Sequence, residues 1–311
     1  MTKAKIGVVF PAREIGTDPA AVREWAQGVE QLGFAHIAVP DHVVGVDPSR
    51  RTDAWAAQWP HPTEHVRVPY THLSEFHEPM VLFGFLAALT RLELVTGILV
   101  LPQRQTVLVA KQVAELALLS AGGLRLGVGT GWNPAEFEAL GMPFQVRGRL
   151  VDEQVPLLRR LWSEPVLDVD GEFHKLEGVG IAPRPTEPIP VWMGGGTAFA
   201  RGIDALRRPL TRIGRLADGW YLDSAAKPGP ALRKAYDVIE DARAAAGRVP
   251  GPMPVDGRIL LATAGGDDGI RQLLDDWHDV PVSHITVDSM GIGCTSPQEH
   301  LHALDRVMRL L

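Results

Sequence analysis

The chain has 311 residues, of which 45% are hydrophobic and 22% charged, with a formal net charge of −6. This is enough apolar material for a sizeable core, and the acidic balance favours neither nucleic acid nor a membrane surface as partner. No apolar run approaches bilayer-spanning length and MTKAKIG lacks a signal-peptide core, so a cytoplasmic protein is expected, while the single cysteine, Cys294, excludes an internal disulfide or a cysteine zinc site.

Lys5 to Phe10 reads as a first strand. Asp18-Pro19 then caps a helix whose apolar stripe is Val22, Trp25, Ala26, Val29 and Leu32. His36 to Val39 is a second strand, followed by Pro40-Asp41-His42. Val43 to Glu75 has several prolines and no period, the pattern of a long functional loop. Pro79 to Leu89 is helical, and then Leu94 to Leu101 forms an almost unbroken apolar run, as in a strand buried on both faces. Thr106 to Ser120 is a helix stopped by Gly122-Gly123. Leu124 to Val128 is a strand running straight into Gly129-Thr130-Gly131-Trp132, with a further helix to Leu140.

Arg147 to Trp162 is a helix that Pro156 should kink. Val166 to Glu177 alternates around Asp170-Gly171, a hairpin signal. Pro190 to Met193 is a strand ending in Gly194-Gly195-Gly196-Thr197, with a helix to about Arg207. Strands over 218–222, 258–262 and 284–287 alternate with helices over 231–246 and 270–277. The last helix opens on the capping box Ser296-Pro297-Gln298-Glu299. Eight strands alternating with helices predict an α/β fold, a (β/α)8 TIM barrel spanning 1–311 as one domain, with insertions at about 43–77 and 165–188. A doubly wound open sheet is the competitor, and the absence of a halfway break favours the barrel.

A barrel keeps its site at the carboxyl ends of its strands. Gly194 to Thr197 ends a strand and opens a helix, so backbone N–H groups could approach a phosphate there; a tight turn with Thr197 as cap is the plainer alternative. Gly127, Gly129 and Gly131 lack the spacing and acidic partner of a dinucleotide fingerprint, and either admit a flat ring or simply make a turn. Asp41-His42 joins a carboxylate to an imidazole able to move a proton near neutrality. Chemistry alone leaves a cap aspartate and a surface histidine as the plainer reading. His61, His65, His72 and His77 could bind metal, as in a metal-dependent hydrolase, but Pro60, Pro62 and Pro69 break the helix that would align them, so no metal site is assigned. Trp55, Trp59, Tyr70 and Phe76 in the same loop suit a lid over an organic substrate.

Several motifs together resemble the bacterial luciferase-like monooxygenase superfamily, most closely its coenzyme F420 (deazaflavin)-dependent oxidoreductases. They are Asp41-His42; Thr96-Gly97-Ile98 with Leu101-Pro102; Ser120 to Gly131 with Trp132, Glu136, Leu140 and Gly141; Arg147-Gly148-Arg149 with Asp152-Glu153; Trp192 to Thr197; and Ala217 to Trp220. The resemblance covers about 5–223. It implies a luciferase-like TIM barrel binding an isoalloxazine-type ring, F420 for hydride transfer or, alternatively, FMN for a monooxygenase using reduced FMN, O2 and a separate flavin reductase. It implies a non-proline cis peptide at Gly97-Ile98 beneath the ring, with Asp41, Thr96, Gly97, Ile98, Thr130 and Gly131 around the cofactor, and Gly195, Gly196 and Thr197 on its phosphate. His42 is the implied catalytic group, acting on a small organic substrate, and a homodimer is implied as well. A non-catalytic flavin-binding protein is a further alternative, against which the aromatic loop argues. Two departures stand out. Gly123 occupies a position usually held by arginine, and Trp132 stands where sugar-phosphate dehydrogenases of the group place glutamate after the glycine turn.

Overall fold

The computed structural model describes residues 4–50, 70–195, 202–223, 226–248, 251–277 and 281–311. Its centre is a closed barrel of eight parallel strands with helices around it. The strands are β1 (Lys5–Val9), β2 (His36–Val39), β3 (Glu93–Thr96), β5 (Leu124–Gly129), β8 (Val191–Gly194), β9 (Gly219–Tyr221), β10 (Val255–Leu260) and β11 (Val282–Asp288). They pair in the order β3-β2-β1-β11-β10-β9-β8-β5, and β3 returns to β5 through Leu94↔Leu124 and Val95↔Arg125, which closes the ring. The predicted barrel is thus the observed one.

The apolar run after Glu93 is divided. β3 stops at Thr96, the Gly97–Ile98 peptide is cis, and the chain resumes as β4 (Leu99–Val100), which pairs with the end of β5. A 3-10 turn over Leu101–Gln103 follows. β6 (Leu167–Asp170) and β7 (Lys175–Val179) form the expected antiparallel hairpin.

The helices are α1 (Pro19–Gln31), α2 (Pro79–Ala87), α3 (Thr106–Leu119), α4 (Pro134–Ala139), α5 (Arg147–Ser163), α6 (Ile203–Leu216), α7 (Pro230–Ala245), α8 (Gly266–Asp276) and α9 (Pro297–Met308). α5 runs through Pro156 from Arg147 to Ser163, with Val155, Leu157, Leu158 and Leu161 buried on both sides of it. Two sequence expectations change. α6 continues nine residues beyond Arg207, since Leu210, Ile213 and Leu216 extend its apolar stripe past Pro209. The strand expected over 258–262 lies at 255–260 instead.

The outer faces of the strands feed the main apolar core beneath the helices. The bore, in contrast, carries a polar floor. Arg125 Nη1 donates to Asp256 at 2.9 Å, and its Nη2 lies 3.1 Å from Glu93. Its guanidinium stacks 4.5 Å from the Trp192 ring. Thr286 donates to Asp256 and meets His36 Nε2, both at 2.7 Å. Arg125–Asp256 joins β5 to β10 and His36–Thr286 joins β2 to β11, pairs that are not neighbours, so these two contacts cross the bore. Burial, followed by the Arg125 charge, pushes His284 down to about 3 and His36 well below its usual range, which keeps the floor histidines neutral.

Candidate active site

The carboxyl end of the barrel gathers most of the residues singled out in the sequence. β2 ends at Val39 and delivers Asp41 and His42 to the mouth. Asp41 is only 3% exposed, and its carboxylate accepts the Val100 N–H at 2.9 Å and Arg104 Nη2 at 2.8 Å. Burial pushes this carboxyl above its ordinary range, against the opposing pull of Arg104. Arg104 also reaches Glu78 at 2.7 Å. Asp41 therefore pins the strand that follows Gly97–Ile98, and its oxygens face protein.

His42 points the other way, with its side chain 20% exposed. Its Nδ1 lies 3.2 Å from Glu136 Oε1. Glu136 is 1% exposed and also accepts the Val43 N–H and Gln103 Nε2, each at 3.2 Å. A buried carboxylate so placed selects the tautomer with the proton on Nδ1, leaving Nε2 with its lone pair. Among the described residues, no hydrogen bond reaches Nε2.

Local sequence explains how Glu136 arrives there. Asn133 Oδ1 caps α4 by accepting the Ala135 N–H at 3.0 Å, with Pro134 at the first helical position. Glu136 sits three residues past the cap, where such a glutamate often turns back to the cap itself; here it turns to His42. The Asn133 amide donates to the Tyr70 hydroxyl at 2.8 Å. Burial and the Glu136 charge raise the Tyr70 phenol well above its usual range, so it remains protonated. Tyr70, Phe76 and Trp132 stand around the imidazole with ring centroids 4.0, 4.8 and 6.1 Å from it.

The Gly97 N–H donates to the Val39 carbonyl at 2.7 Å, which sets Gly97–Ile98 beside the end of β2. Thr96 Oγ1 donates to the Gly127 carbonyl at 2.7 Å and ties β3 to β5. Ile98 projects over glycines, since a Cβ on Gly129 or Gly194 would lie 2.5 or 2.9 Å from its side chain. Thr130 and Gly131 are half-buried beyond the end of β5, and Arg147 Nε donates to the Gly131 carbonyl at 3.2 Å. At the end of β8, Gly195 has a φ of +120°, and a Cβ built there would meet nothing within 4 Å. The Trp220 indole N–H holds the Gly195 carbonyl at 2.9 Å. Gly196 and Thr197 lie outside the described residues, as do Trp55, Trp59, His61 and His65. His77, from the same histidine-rich stretch, lies 3.4 Å from the Gly16 carbonyl through Nε2.

The spacing of the sequence did not assign Glu136, Gln103, Arg104 or Asn133 a part. The only signal was Glu136 among the family-like positions and Asn133-Pro134 as a helix start.

The family model described as luciferase-like monooxygenase matches residues 4–280. An F420-dependent glucose-6-phosphate dehydrogenase of Intrasporangium calvum is 30% identical over 207 residues, covering 63% of this chain and 54% of that protein. An FMNH(2)-dependent dimethylsulfone monooxygenase of Pseudomonas fluorescens is 27% identical over 209 residues, covering 65% and 53%. Among solved structures, an F420-dependent secondary alcohol dehydrogenase in complex with an F420-acetone adduct superposes with a TM-score of 0.72 at 16% identity, over 99% of each chain.

Proposed function

The chain belongs to the luciferase-like monooxygenase family, and on that premise we propose that it transfers hydride between coenzyme F420 and a small organic substrate. The observation that carries this reading is His42, committed to Glu136 at Nδ1 and uncommitted at Nε2 among the described residues, beside the segment that Asp41 holds through Val100. The residues present fit a ring with a phosphate-bearing tail. Gly195 opens onto free space at the strand end, and Trp220 fixes its carbonyl.

In this reading F420, when bound, supplies the hydride chemistry. Asp41 and Thr96 fix the backbone of Gly97 and Ile98 as the seat of the ring. Thr130 and Gly131 line its edge, and Gly195, with Gly196 and Thr197, holds the phosphate. His42 Nε2 takes the substrate proton or returns it, while Glu136 steadies the imidazole in both charge states. Tyr70, Phe76 and Trp132 shield that nitrogen from water. Most of the acceleration comes from positioning.

The test is a titration of the purified protein with F420 and separately with FMN, followed by fluorescence. Tight F420 binding with weak FMN binding supports the proposal. Preference for FMN, with oxygen consumed when reduced FMN is supplied, overturns it in favour of a monooxygenase served by a separate reductase. A homodimer is part of the same proposal, checked by light scattering against the 33.8 kDa chain mass.

A further inference from the structure

We infer that Arg258 and Tyr221, buried in the barrel beneath Gly97, are positioning residues for the cofactor ring and favour its reduced, more negative state. This rests on the cofactor reading above. Tyr221 ends β9 and is 3% exposed. Its side chain crosses the bore to the underside of the Gly97 segment: a Cβ built on Gly97 would lie 2.4 Å from the Tyr221 hydroxyl oxygen and 3.1 Å from Cζ. Ala38, Val95 and Ile98 pack around the phenol, so water is excluded there.

Arg258 reaches the same hydroxyl from β10. It donates to it from Nη1, and its guanidinium lies 5.3 Å from the centre of the phenol ring. Burial works against the arginine's charge, but Tyr221, Asp288, Asp256 and Asp223 outweigh it and keep the group protonated. Asp256 is itself held by Arg125 and Thr286 on the floor below. A single chain of contact therefore runs from a fixed cation, through one hydroxyl, to the backbone on which the ring would rest.

Two consequences follow. The hydroxyl sets the height of Gly97, since neither a methyl group at Gly97 nor a larger group at position 221 fits between them. A hydride carries two electrons and one proton, so its arrival adds one negative charge to the ring until a proton follows. A buried cation below the seat acts through a medium that salt screens poorly, and it lowers the free energy of the charged state more than that of the uncharged one.

The experiment measures dissociation constants anaerobically, by intrinsic tryptophan fluorescence, for F420, reduced F420, FMN and reduced FMN. The proteins are wild type, Arg258→Lys, Arg258→Met and Tyr221→Phe. Arg258→Met is expected to weaken the reduced form about tenfold more than the oxidised form, equivalent to a midpoint potential about 30 mV lower for a two-electron couple. Arg258→Lys should stay within about threefold of the wild-type ratio, and Tyr221→Phe should fall between. A folded Arg258→Met protein that loses both forms equally, or keeps the wild-type ratio, overturns the inference. If that variant does not fold, Tyr221→Phe decides, and an unmoved ratio overturns it. A wild type that binds neither ring overturns the cofactor reading instead, which is a distinguishable result.

Discussion

Among the described residues, two histidines meet a glutamate through Nδ1, and they differ in what happens at the other nitrogen. His42 lies 3.2 Å from Glu136, and no described residue bonds its Nε2. His174 lies 2.6 Å from Glu153, and its Nε2 accepts the Thr106 hydroxyl at 2.6 Å. On paper the second array, hydroxyl to imidazole to carboxylate, is the more complete relay. Its surroundings decide otherwise. Thr106 is 3% exposed, and its oxygen also accepts Gln154 Nε2 at 3.0 Å. Glu153 accepts the backbone N–H groups of Glu172, Phe173 and His174. Every partner is used, so the array binds the β6–β7 hairpin to α5 and α3. A groove of about 840 Å³ is lined in part by Thr106 and His174, but the Thr106 hydroxyl is already shared between His174 and Gln154. At His42 no described residue bonds Nε2, and aromatic rings surround the imidazole. The two carry the same pair of groups and differ, among the described residues, in whether Nε2 has a partner, and the proton-transfer role proposed for His42 rests on that difference.

Substitution tests that contrast directly. His42→Ala should lower kcat by about 10²–10⁴, the usual contribution of a positioned proton donor or acceptor, with cofactor dissociation changed less than about threefold. Full turnover in this variant would remove His42 from the chemistry. Glu136→Gln should cost about 10–100-fold in kcat. The amide keeps the volume but removes the charge that steadies a protonated imidazole and leaves the buried donors Val43 N–H and Gln103 with a weaker acceptor. Equal kcat with a raised KM would mean that Glu136 serves binding alone.

The same experiment at the other histidine should read in stability. Glu153→Ala removes the acceptor of three backbone N–H groups and the partner of His174, a loss of about 1–3 kcal/mol. Calorimetry should show a melting temperature lower by roughly 2–6 °C, while kcat at 25 °C stays within about twofold. A large fall in kcat with unchanged melting would mean that the hairpin array takes part in turnover.

The βα alternation could be read from the sequence because the outward faces of the strands are apolar and contiguous, as in Leu124 to Val128. It faltered where the bore is polar. β10 alternates Val255 and Ile259 with Asp256 and Arg258, and the inward carboxylate and guanidinium masked the strand's start. The break at Gly97–Ile98 lies inside an apolar run and leaves no mark in hydropathy. Asp41 and His42 stood out as a carboxylate and an imidazole just past a strand, but chemistry alone favoured a cap and a surface histidine, and the family-like motifs tipped the reading. Glu136, 94 positions away, acquires its partner only once the barrel closes. The pairing of Tyr221 with Arg258 was likewise invisible, because it joins positions 37 residues apart on the adjacent strands β9 and β10, which no local pattern relates.

The smallest expected effect concerns acid. Burial works to raise the Glu153 carboxyl, but the His174 hydrogen bond and the N–H groups of Phe173, His174 and Glu172 outweigh it and hold the group below its usual range. A carboxyl depressed in the folded state binds its proton more readily when unfolded. Its contribution is therefore complete above the ordinary glutamate range, near pH 4.3, and is lost as pH falls through the folded value. Wild type and Glu153→Gln should differ most in melting temperature at pH 6–7 and converge as pH is lowered below about 4. His174 holds the same carboxylate, so Glu153→Gln/His174→Ala should follow the single variant's flatter acid limb. Parallel curves for wild type and Glu153→Gln across this range would show that the carboxylate's charge contributes nothing to the clamp, leaving its hydrogen-bond geometry as the whole of the difference between the two histidines.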